Sequence, residues 1–261
     1  WEQYYQLAEF FTRKKGERLA GEVLTEDFYG TCVALKRHVT AAYHLQIFVV
    51  GMGGEGLLYN NGEIAAETPV FQKALEFYMS LRPFSTPAHM EYMWDELNRD
   101  AMLAKFFMVQ IWPDVMVYLE NPDEAPKMAG QVGYFTAPES KTIWADTHTW
   151  FISKYSKNPD VGWLWFQYLS TREAQAKYQK LGGSTFRFDV LRDPEIMAVS
   201  PWVEGYILDS KVAPTLKEQI VPEMLDLISE ACSRIGAGDM SVSEGAKWIA
   251  DQQRQSLERS K

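Results

Sequence analysis

The fold is decided by residues 150–160, Trp150-Phe151-Ile152-Ser153-Lys154-Tyr155-Ser156-Lys157-Asn158-Pro159-Asp160, with Trp163-Leu164-Trp165-Phe166 and Thr171-Arg172-Glu173-Ala174-Gln175 behind them. The first four residues have the apolar composition of a buried strand, and a polar turn follows. Aromatic residues then predict a helix from about residue 160 to residue 169. A second helix is expected behind Thr171, whose hydroxyl is a good N-cap. A strand followed by two helices is typical of α/β proteins.

The composition indicates a folded protein whose partner is not nucleic acid. The chain has 261 residues, 46% of them hydrophobic and 14% aromatic, so it can bury a large core in one large or two small domains. Its net charge is −9 and its basic residues form no stripe, which argues against nucleic acid. Nine Trp and thirteen Tyr mildly favour a ligand with apolar CH faces, such as a carbohydrate. No window reaches the ~20 apolar residues of a membrane span.

The rest of the chain predicts many helices and few strands. A capping box is expected at Ser241 and Glu244, a tight turn at Asn60-Asn61-Gly62, and a helix cap at Thr40. Cys32 and Cys232 are expected to be two buried thiols, with a disulfide as the alternative. Further helices are predicted at 2–13, 40–50, 70–81, 87–102, 172–181, 215–235 and 242–257, and strands at 28–35, 106–112, 132–135 and 149–153.

Short motifs along the whole chain resemble those of family 1 extracellular solute-binding proteins, the ligand-capturing components of ABC importers for sugars and related solutes. The opening stretch is similar to "ISK.S.NP..AW.F..YL.S.EAQ". Each motif is weak alone, but their shared order makes the resemblance specific. The other matches are residues 1–11 to "W.EY..LA..FT", 104–113 to "GK.AM...WP", 132–138 to "VGY.P.P" and 182–195 to "G..P.R..VL.DPE".

The resemblance implies a fold and a division of the chain. We expect a helix-rich α/β lobe of the periplasmic-binding-protein-like type II fold, with a small mixed sheet. Residues 1–131 and 170–261 would form the second, C-terminal lobe, and residues 132–169 would return to the first lobe. Most of the first lobe would precede Trp1, where the chain opens inside an amphipathic helix with no capping residue ahead of it.

The resemblance also implies a function without catalysis. Such a protein captures a small polar solute, here a sugar or polyol, and delivers it to the membrane permease of an ABC importer by closure of two lobes. Its location would be periplasmic or otherwise extracytoplasmic, in association with the membrane through the importer. No cofactor and no metal are expected.

Trp112, Arg187 and His148 are the first candidate ligand-binding residues. Trp112 ends the predicted strand at 106–112, where the family places a stacking tryptophan; a core indole plugging the sheet is the alternative. His148 occupies the position of a family aromatic residue and could stack or donate a hydrogen bond, and Asp146 lies beside it. Arg187 follows a glycine loop and offers a fork of donors, or else braces that loop through a salt bridge.

Two further candidates come from the first half of the chain. Tyr43 follows a predicted strand-to-helix junction, where ligand-facing loops are expected. Glu55 follows Gly53-Gly54 and could accept hydrogen bonds from hydroxyl groups.

Two other functions stay open. A carbohydrate-active enzyme would need two carboxylates placed across a cleft, and the sequence singles out no such pair and no catalytic or metal-binding motif. A binding protein for an anionic solute would be favoured if Lys36, Arg37, His148 and Arg187 converged on one cleft.

Overall fold

The computed structural model describes residues 1–60, 63–143, 149–208, 211–212 and 221–259. Helices dominate these ranges, and each strand is two residues long. The helices are α1 (Glu2–Phe11), α2 (Val39–Gly51), α3 (Pro69–Ser80), α4 (Trp94–Met102), α5 (Pro113–Leu119), α6 (Pro159–Leu169), α7 (Arg172–Lys180), α8 (Phe188–Leu191), α9 (Pro194–Val199), α10 (Val221–Ala237) and α11 (Val242–Arg259). The strands are β1 (Arg18–Leu19), β2 (Glu22–Val23), β3 (Tyr59–Asn60), β4 (Glu63–Ile64), β5 (Thr142–Ile143) and β6 (Lys211–Val212).

The strands form three separate two-stranded ladders of mixed direction. β1 pairs with β2 and β3 with β4 in antiparallel register, whereas β5 pairs with β6 in parallel. The pairing of Tyr59 with Ile64 is consistent with the tight turn predicted between them. Its turn residues, Asn61 and Gly62, lie outside the described residues.

The chain divides into two compact units. Unit 1 comprises Trp1–Ile111, Thr136–Ala145 and Ser210–Lys261, and unit 2 comprises Trp112–Phe135 and Asp146–Asp209. Each unit therefore collects segments that are far apart in sequence.

Helix α2 is the centre of unit 1. It is apolar nearly all round and packs against α3 and α10, while α10 packs against α11. A helix that is hydrophobic on every side must be buried on every side. Cys32 and Cys232 are both buried free thiols in this unit, as predicted. Burial raises the pKa of Cys232 to about 12, so this thiol is inert at neutral pH.

The two strands predicted at 28–35 and 106–112 are reduced to isolated bridges, a parallel one between Tyr29 and Phe106 and an antiparallel one between Phe28 and Arg13. The prediction of strands was wrong because the backbone of 28–35 finds other partners. The N–H groups of Thr31 and Leu35 donate to the carbonyls of Phe84 and His89, which lie between α3 and α4. A ladder cannot extend once its donors are already used.

The strands predicted at 132–135 and 149–153 are also absent from the described part of the chain. The described strands all belong to unit 1, so these two unit 2 segments have no strand to pair with. An apolar composition predicts a strand well only where a partner strand exists.

Most predicted helices are confirmed, with changes at their ends. α2 is capped by His38 rather than Thr40, because the N–H of Thr40 donates to the imidazole Nδ1 over 3.3 Å. The helix predicted at 87–102 begins only at α4, since the backbone of Met93 is extended (φ −122°, ψ −161°). The capping box before α11 is confirmed: Glu244 N–H donates to Ser241 Oγ over 3.2 Å, and Ser241 N–H donates to Glu244 Oε2 over 2.7 Å.

Candidate functional site

Trp112 is the first residue of unit 2 and the N-cap residue of α5. Its backbone is extended (φ −88°, ψ 154°), the conformation that a following proline favours, and Pro113 starts the helix. The indole is half-buried, unlike Trp202 of the same unit, which is 2% exposed and belongs to the core. A ring with one accessible part is what a stacking platform requires.

Arg187 is the last residue of the loop between α7 and α8, and its guanidinium makes three hydrogen bonds, two to Asp189 of α8 and one to Ser170 at the end of α6. Its Nε and Nη2 donate to Oδ1 and Oδ2 of Asp189 over 2.9 and 2.8 Å, and Nη1 donates to the carbonyl of Ser170 over 3.0 Å. The hydrogen bonds from Arg187 hold the pKa of Asp189 below its usual range. The guanidinium therefore braces the loop, the alternative foreseen from the sequence, and its charge is already paired.

A buried polar network fixes the backbone just before Arg187. Thr185 Oγ1 donates to Gln175 Oε1 over 2.7 Å, and Thr185 N–H donates to Gln179 Oε1 over 2.9 Å. The N–H of Arg187 then donates to Thr185 Oγ1 over 3.2 Å. The two glutamines, four residues apart on α7, share one face of that helix. Their spacing was the signal that could have revealed them in the sequence.

Tyr43 lies on the least buried side of α2. Val39, Tyr43 and Ile47 are half-buried at four-residue spacing, and the other residues of that helix are buried. The position is therefore partly accessible, although the helix as a whole is core.

Glu55 is exposed and follows a turn that depends on glycine. Gly53 has φ +93°, and a Cβ at Gly54 would lie 2.8 Å from the side chain of Val49. The two glycines therefore serve backbone geometry, and the turn places Glu55 at the surface of unit 1.

The candidates fall into two groups. Trp112 and Arg187 belong to unit 2, whereas Tyr43 and Glu55 belong to unit 1. Within unit 2, a Cβ at Gly182 of the Arg187 loop would lie 3.0 Å from Val117 of α5, so that loop packs on the helix that Trp112 caps. Asp146 and His148 lie outside the described residues.

Another cationic residue from the sequence analysis is also paired. Arg37 Nη2 lies 2.8 Å from Glu230 and 3.5 Å from Asp226, both on α10. Arg37 and Arg187 each have a carboxylate partner within their own unit.

Two features found at many enzyme and metal sites, a raised carboxyl pKa and a cluster of metal ligands, are absent from the described residues. Every carboxyl group there whose pKa is displaced has it lowered, so none of those groups is tuned as a general acid. The same residues contain no cluster of three His, Cys, Asp or Glu side chains able to hold a metal ion. Nor do they include a helix with the length and apolar character needed to span a membrane.

Comparison with known proteins identifies relatives that are longer than this chain. No family model matches the sequence. An uncharacterised ABC transporter extracellular-binding protein of Pyrococcus horikoshii is 23% identical over 200 residues, which cover 71% of this chain and 44% of that protein.

Solved structures show the same fold. A solute-binding protein of Agrobacterium radiobacter in complex with ribitol matches with a TM-score of 0.76 at 18% identity, covering 97% of this chain and 63% of its own. One of Thermotoga lettingae bound with α-D-tagatose matches with a TM-score of 0.75 at 18% identity, covering 98% and 64%. The chain thus spans less than two thirds of the length of each of these relatives.

These matches confirm two predictions from the sequence. The resemblance to extracellular solute-binding proteins of ABC transporters is confirmed, and so is the helix-rich, periplasmic-binding-protein-like fold. The proteins it resembles are binding proteins rather than enzymes.

Proposed function

We propose that the protein captures a sugar or polyol outside the cytoplasm and delivers it to the membrane permease of an ABC importer. The observation that carries the proposal is the fold shared with solute-binding proteins in complex with ribitol and with α-D-tagatose. The half-buried Trp112, which caps α5, supplies the flat ring that such a ligand needs.

The proposed site residues are those of the sequence analysis, with a changed role for Arg187. Trp112 stacks on an apolar face of the solute, while Tyr43 and Glu55 offer polar groups to its hydroxyls. His148 and Asp146 complete the proposed set. Arg187 acts as a positioning residue that holds the loop packed on α5, because its nitrogens already donate to Asp189 and Ser170.

The proposed solute is uncharged. Of the four cationic residues that could hold an anionic solute, Arg187 and Arg37 are already paired with carboxylates, which favours an uncharged one. Before either arginine could bind a phosphate or carboxylate of the solute, its existing ion pair would have to break. Hydroxyl groups, by contrast, can share donors without displacing them.

The proposed lobe division is the one implied by the resemblance. Residues 1–131 and 170–261 form the second lobe, and residues 132–169 return to the first lobe. Binding is proposed to proceed by closure of the two lobes, with the solute favouring the closed state by its differential affinity.

Isothermal calorimetry on the complete gene product tests the solute class. A panel of hexoses, pentoses, hexitols, pentitols and phosphorylated sugars is titrated, and heat is expected with at least one neutral sugar or polyol. Binding of phosphorylated sugars alone would contradict an uncharged solute. If no compound in the panel produces heat of binding, the proposal of a carbohydrate solute is wrong.

Replacing Trp112 with alanine tests the stacking role. Trp112→Ala is expected to weaken binding of the solute found in that panel by about 1–3 kcal/mol, the order expected for losing a large aromatic anchor. The melting temperature should change little, because a half-buried ring leaves no closed cavity. Trp202→Ala is the matched control: it empties a core site and should cost about 3–5 kcal/mol of stability. A Trp112→Ala protein that is badly destabilised, yet binds normally once folded, would take Trp112 out of the site.

A further inference from the structure

Unit 2 contains an open cavity that is lined by none of the described candidate residues. Its volume is about 520 Å³, within the range of roughly 300–1,000 Å³ that is typical of small-molecule sites. The cavity lies where the end of α8, helix α9 and a π-helix, Val203–Leu208, come together. The described residues that line it are Arg192, Met197, Glu204, Gly205 and Leu208.

The guanidinium of Arg192 is positioned by an aromatic ring rather than by a carboxylate. Its central carbon lies 5.3 Å from the centroid of the Phe188 ring, in a cation–π contact. The other two arginines of unit 2, Arg172 and Arg187, are each paired with an aspartate. Among the described residues, no group accepts a hydrogen bond from the guanidinium of Arg192. A guanidinium that lies over a ring keeps its N–H edge available, so Arg192 can bind a carboxylate.

Glu204 brings a negative charge to the same cavity. This side chain is exposed, and within the described ranges its carboxylate accepts no hydrogen bond and forms no ion pair. Arg192 and Glu204 therefore line one cavity without pairing with each other. Two opposite charges in this arrangement leave room between them for a molecule that carries both charges.

The rest of the lining is apolar and rests on a fixed backbone. Met197 and Leu208 are half-buried. The π-helix directly follows the buried Trp202, and a Cβ at Gly205 would lie 2.6 Å from the carbonyl oxygen of Tyr134, so the helix packs closely on that loop. π-Helices are rare and occur frequently at functional sites. The cavity thus combines two opposite charges with an apolar wall.

We propose that this cavity binds a free α-amino acid with an apolar side chain. Arg192 donates to the carboxylate of the ligand, Glu204 accepts from its ammonium group, and Met197 and Leu208 contact its side chain. Glu204 would repel a simple anion and Arg192 a simple cation, so a zwitterion gains from both charges. The inference goes beyond the proposed capture of a sugar or polyol and uses none of the residues proposed for that site.

Methyl NMR of the complete gene product tests the site. The ε-methyl signal of Met197, assigned with the variant Met197→Leu, is followed during a titration with leucine and is expected to shift until it saturates. Leucinamide lacks the carboxylate, and N-acetyl-leucine lacks the ammonium group. Each analogue is therefore expected to bind about fivefold more weakly than leucine, the order of one exposed ion pair.

Two variants assign the charges to residues. Arg192→Gln should bind leucine about fivefold more weakly and should no longer favour it over leucinamide. Glu204→Gln should likewise no longer favour leucine over N-acetyl-leucine. Arg18→Gln and Glu173→Gln are the matched controls: they remove one charge of each sign at exposed positions that do not line the cavity, and all three affinities should stay unchanged.

Three results would overturn the proposal. The first is a Met197 signal that does not respond to leucine at any soluble concentration. The second is binding of either analogue as tightly as leucine, which would show an apolar contact without recognition of both charges. The third is an equal loss of affinity in the control variants, which would indicate an effect of net charge alone. Binding of a sugar or polyol is measured separately by calorimetry, so a failure of the proposed function leaves this result readable.

Discussion

Ala104 holds a left-handed backbone conformation, φ +58°, directly after the C-terminal end of α4. Its N–H donates to the carbonyl of Ala101 over 2.9 Å, so the residue closes the helix where glycine is usually found. The similar family motif "GK.AM" has glycine at this position. The conformation costs an alanine roughly 1–2 kcal/mol, which a glycine avoids.

Ala104→Gly is therefore expected to keep or raise the free energy of unfolding, by up to about 1 kcal/mol after the greater chain entropy of glycine is counted. Ala101→Gly, inside the same helix, is the matched control and should lower it by about 1 kcal/mol or more. Urea unfolding of both variants provides the measurement. If Ala104→Gly proved as costly as Ala101→Gly, the left-handed conformation at Ala104 would be wrong.

His44 gives stability a dependence on pH. It is buried in α2, and burial lowers the pKa of its imidazole from 6.5 to about 4. The folded protein therefore holds His44 neutral, and its contribution is fully present above pH 6.5. As the pH falls from 6.5 towards 4, the unfolded chain binds a proton that the folded chain does not, so stability falls.

Replacing His44 with a residue that does not titrate should remove that loss. His44→Gln is expected to lose up to about 3 kcal/mol less stability than the wild type between pH 7 and pH 4. Asp100 provides a comparison, because its contribution to stability is lost at a lower pH than that of His44. Burial acts to raise the pKa of Asp100, but hydrogen bonds from Tyr92, Arg99 and Lys105 hold it below its usual range, so its contribution disappears only in stronger acid. Parallel stability curves for wild type and His44→Gln down to pH 4 would show that His44 is not held neutral.

At the scale of single residues, the sequence analysis named candidate positions whose roles stay predictions. Trp112 and Tyr43 were identified as candidates, and both are partly accessible. A salt bridge of Arg187 was foreseen only as an alternative and without a partner, because a guanidinium near several carboxylates in sequence need not contact any of them in space; the structure shows Asp189 as the partner. Thr185 stands at the family's proline position, and its buried bonds to α7 became visible only when loop and helix were placed together.

At the scale of elements, helices were predictable and strands were not. Caps, proline at the first turn and apolar periodicity are local signals, so α3, α6, α7 and α11 begin within one or two residues of their predicted starts. A strand depends on a partner far away in sequence. The apolar run at 106–112 pairs with Tyr29 in one β-bridge only. The run at 149–153 pairs with no strand in the described part of unit 2. Composition alone could not reveal either outcome.

Helix α6 forms where the sequence predicts it, although its apolar side chains are exposed. Its start at Pro159, its length and its aromatic pattern follow from the sequence. The aromatic pattern predicted the helix itself, and none of its residues is buried in the structure. Periodicity predicts a helix from local residues, whereas its burial depends on what packs against it in space.

At the scale of the whole molecule, the proposed division into two lobes makes a testable prediction about solute binding. If the second lobe holds one half of the site and a first lobe the other, the 261-residue chain should bind solute far more weakly than the complete gene product. A ligand that binds only the folded state adds RT ln(1 + [L]/Kd) to the free energy of unfolding, where [L] is the free ligand concentration. Binding to half a site therefore gives little thermal protection at concentrations that saturate the whole site.

The expected outcome is measurable in two ways. Solute at 100 times its dissociation constant should add about 2.7 kcal/mol to the free energy of unfolding of the complete gene product, and much less to that of the 261-residue chain. Small-angle scattering should show a smaller radius of gyration for the complete product when solute is added, as lobe closure requires. The complete Trp112→Ala protein is the control, since weaker stacking should reduce both effects at the same solute concentration. Equal stabilisation of the two proteins, without contraction, would place the whole site inside residues 1–261 and make closure unnecessary for capture.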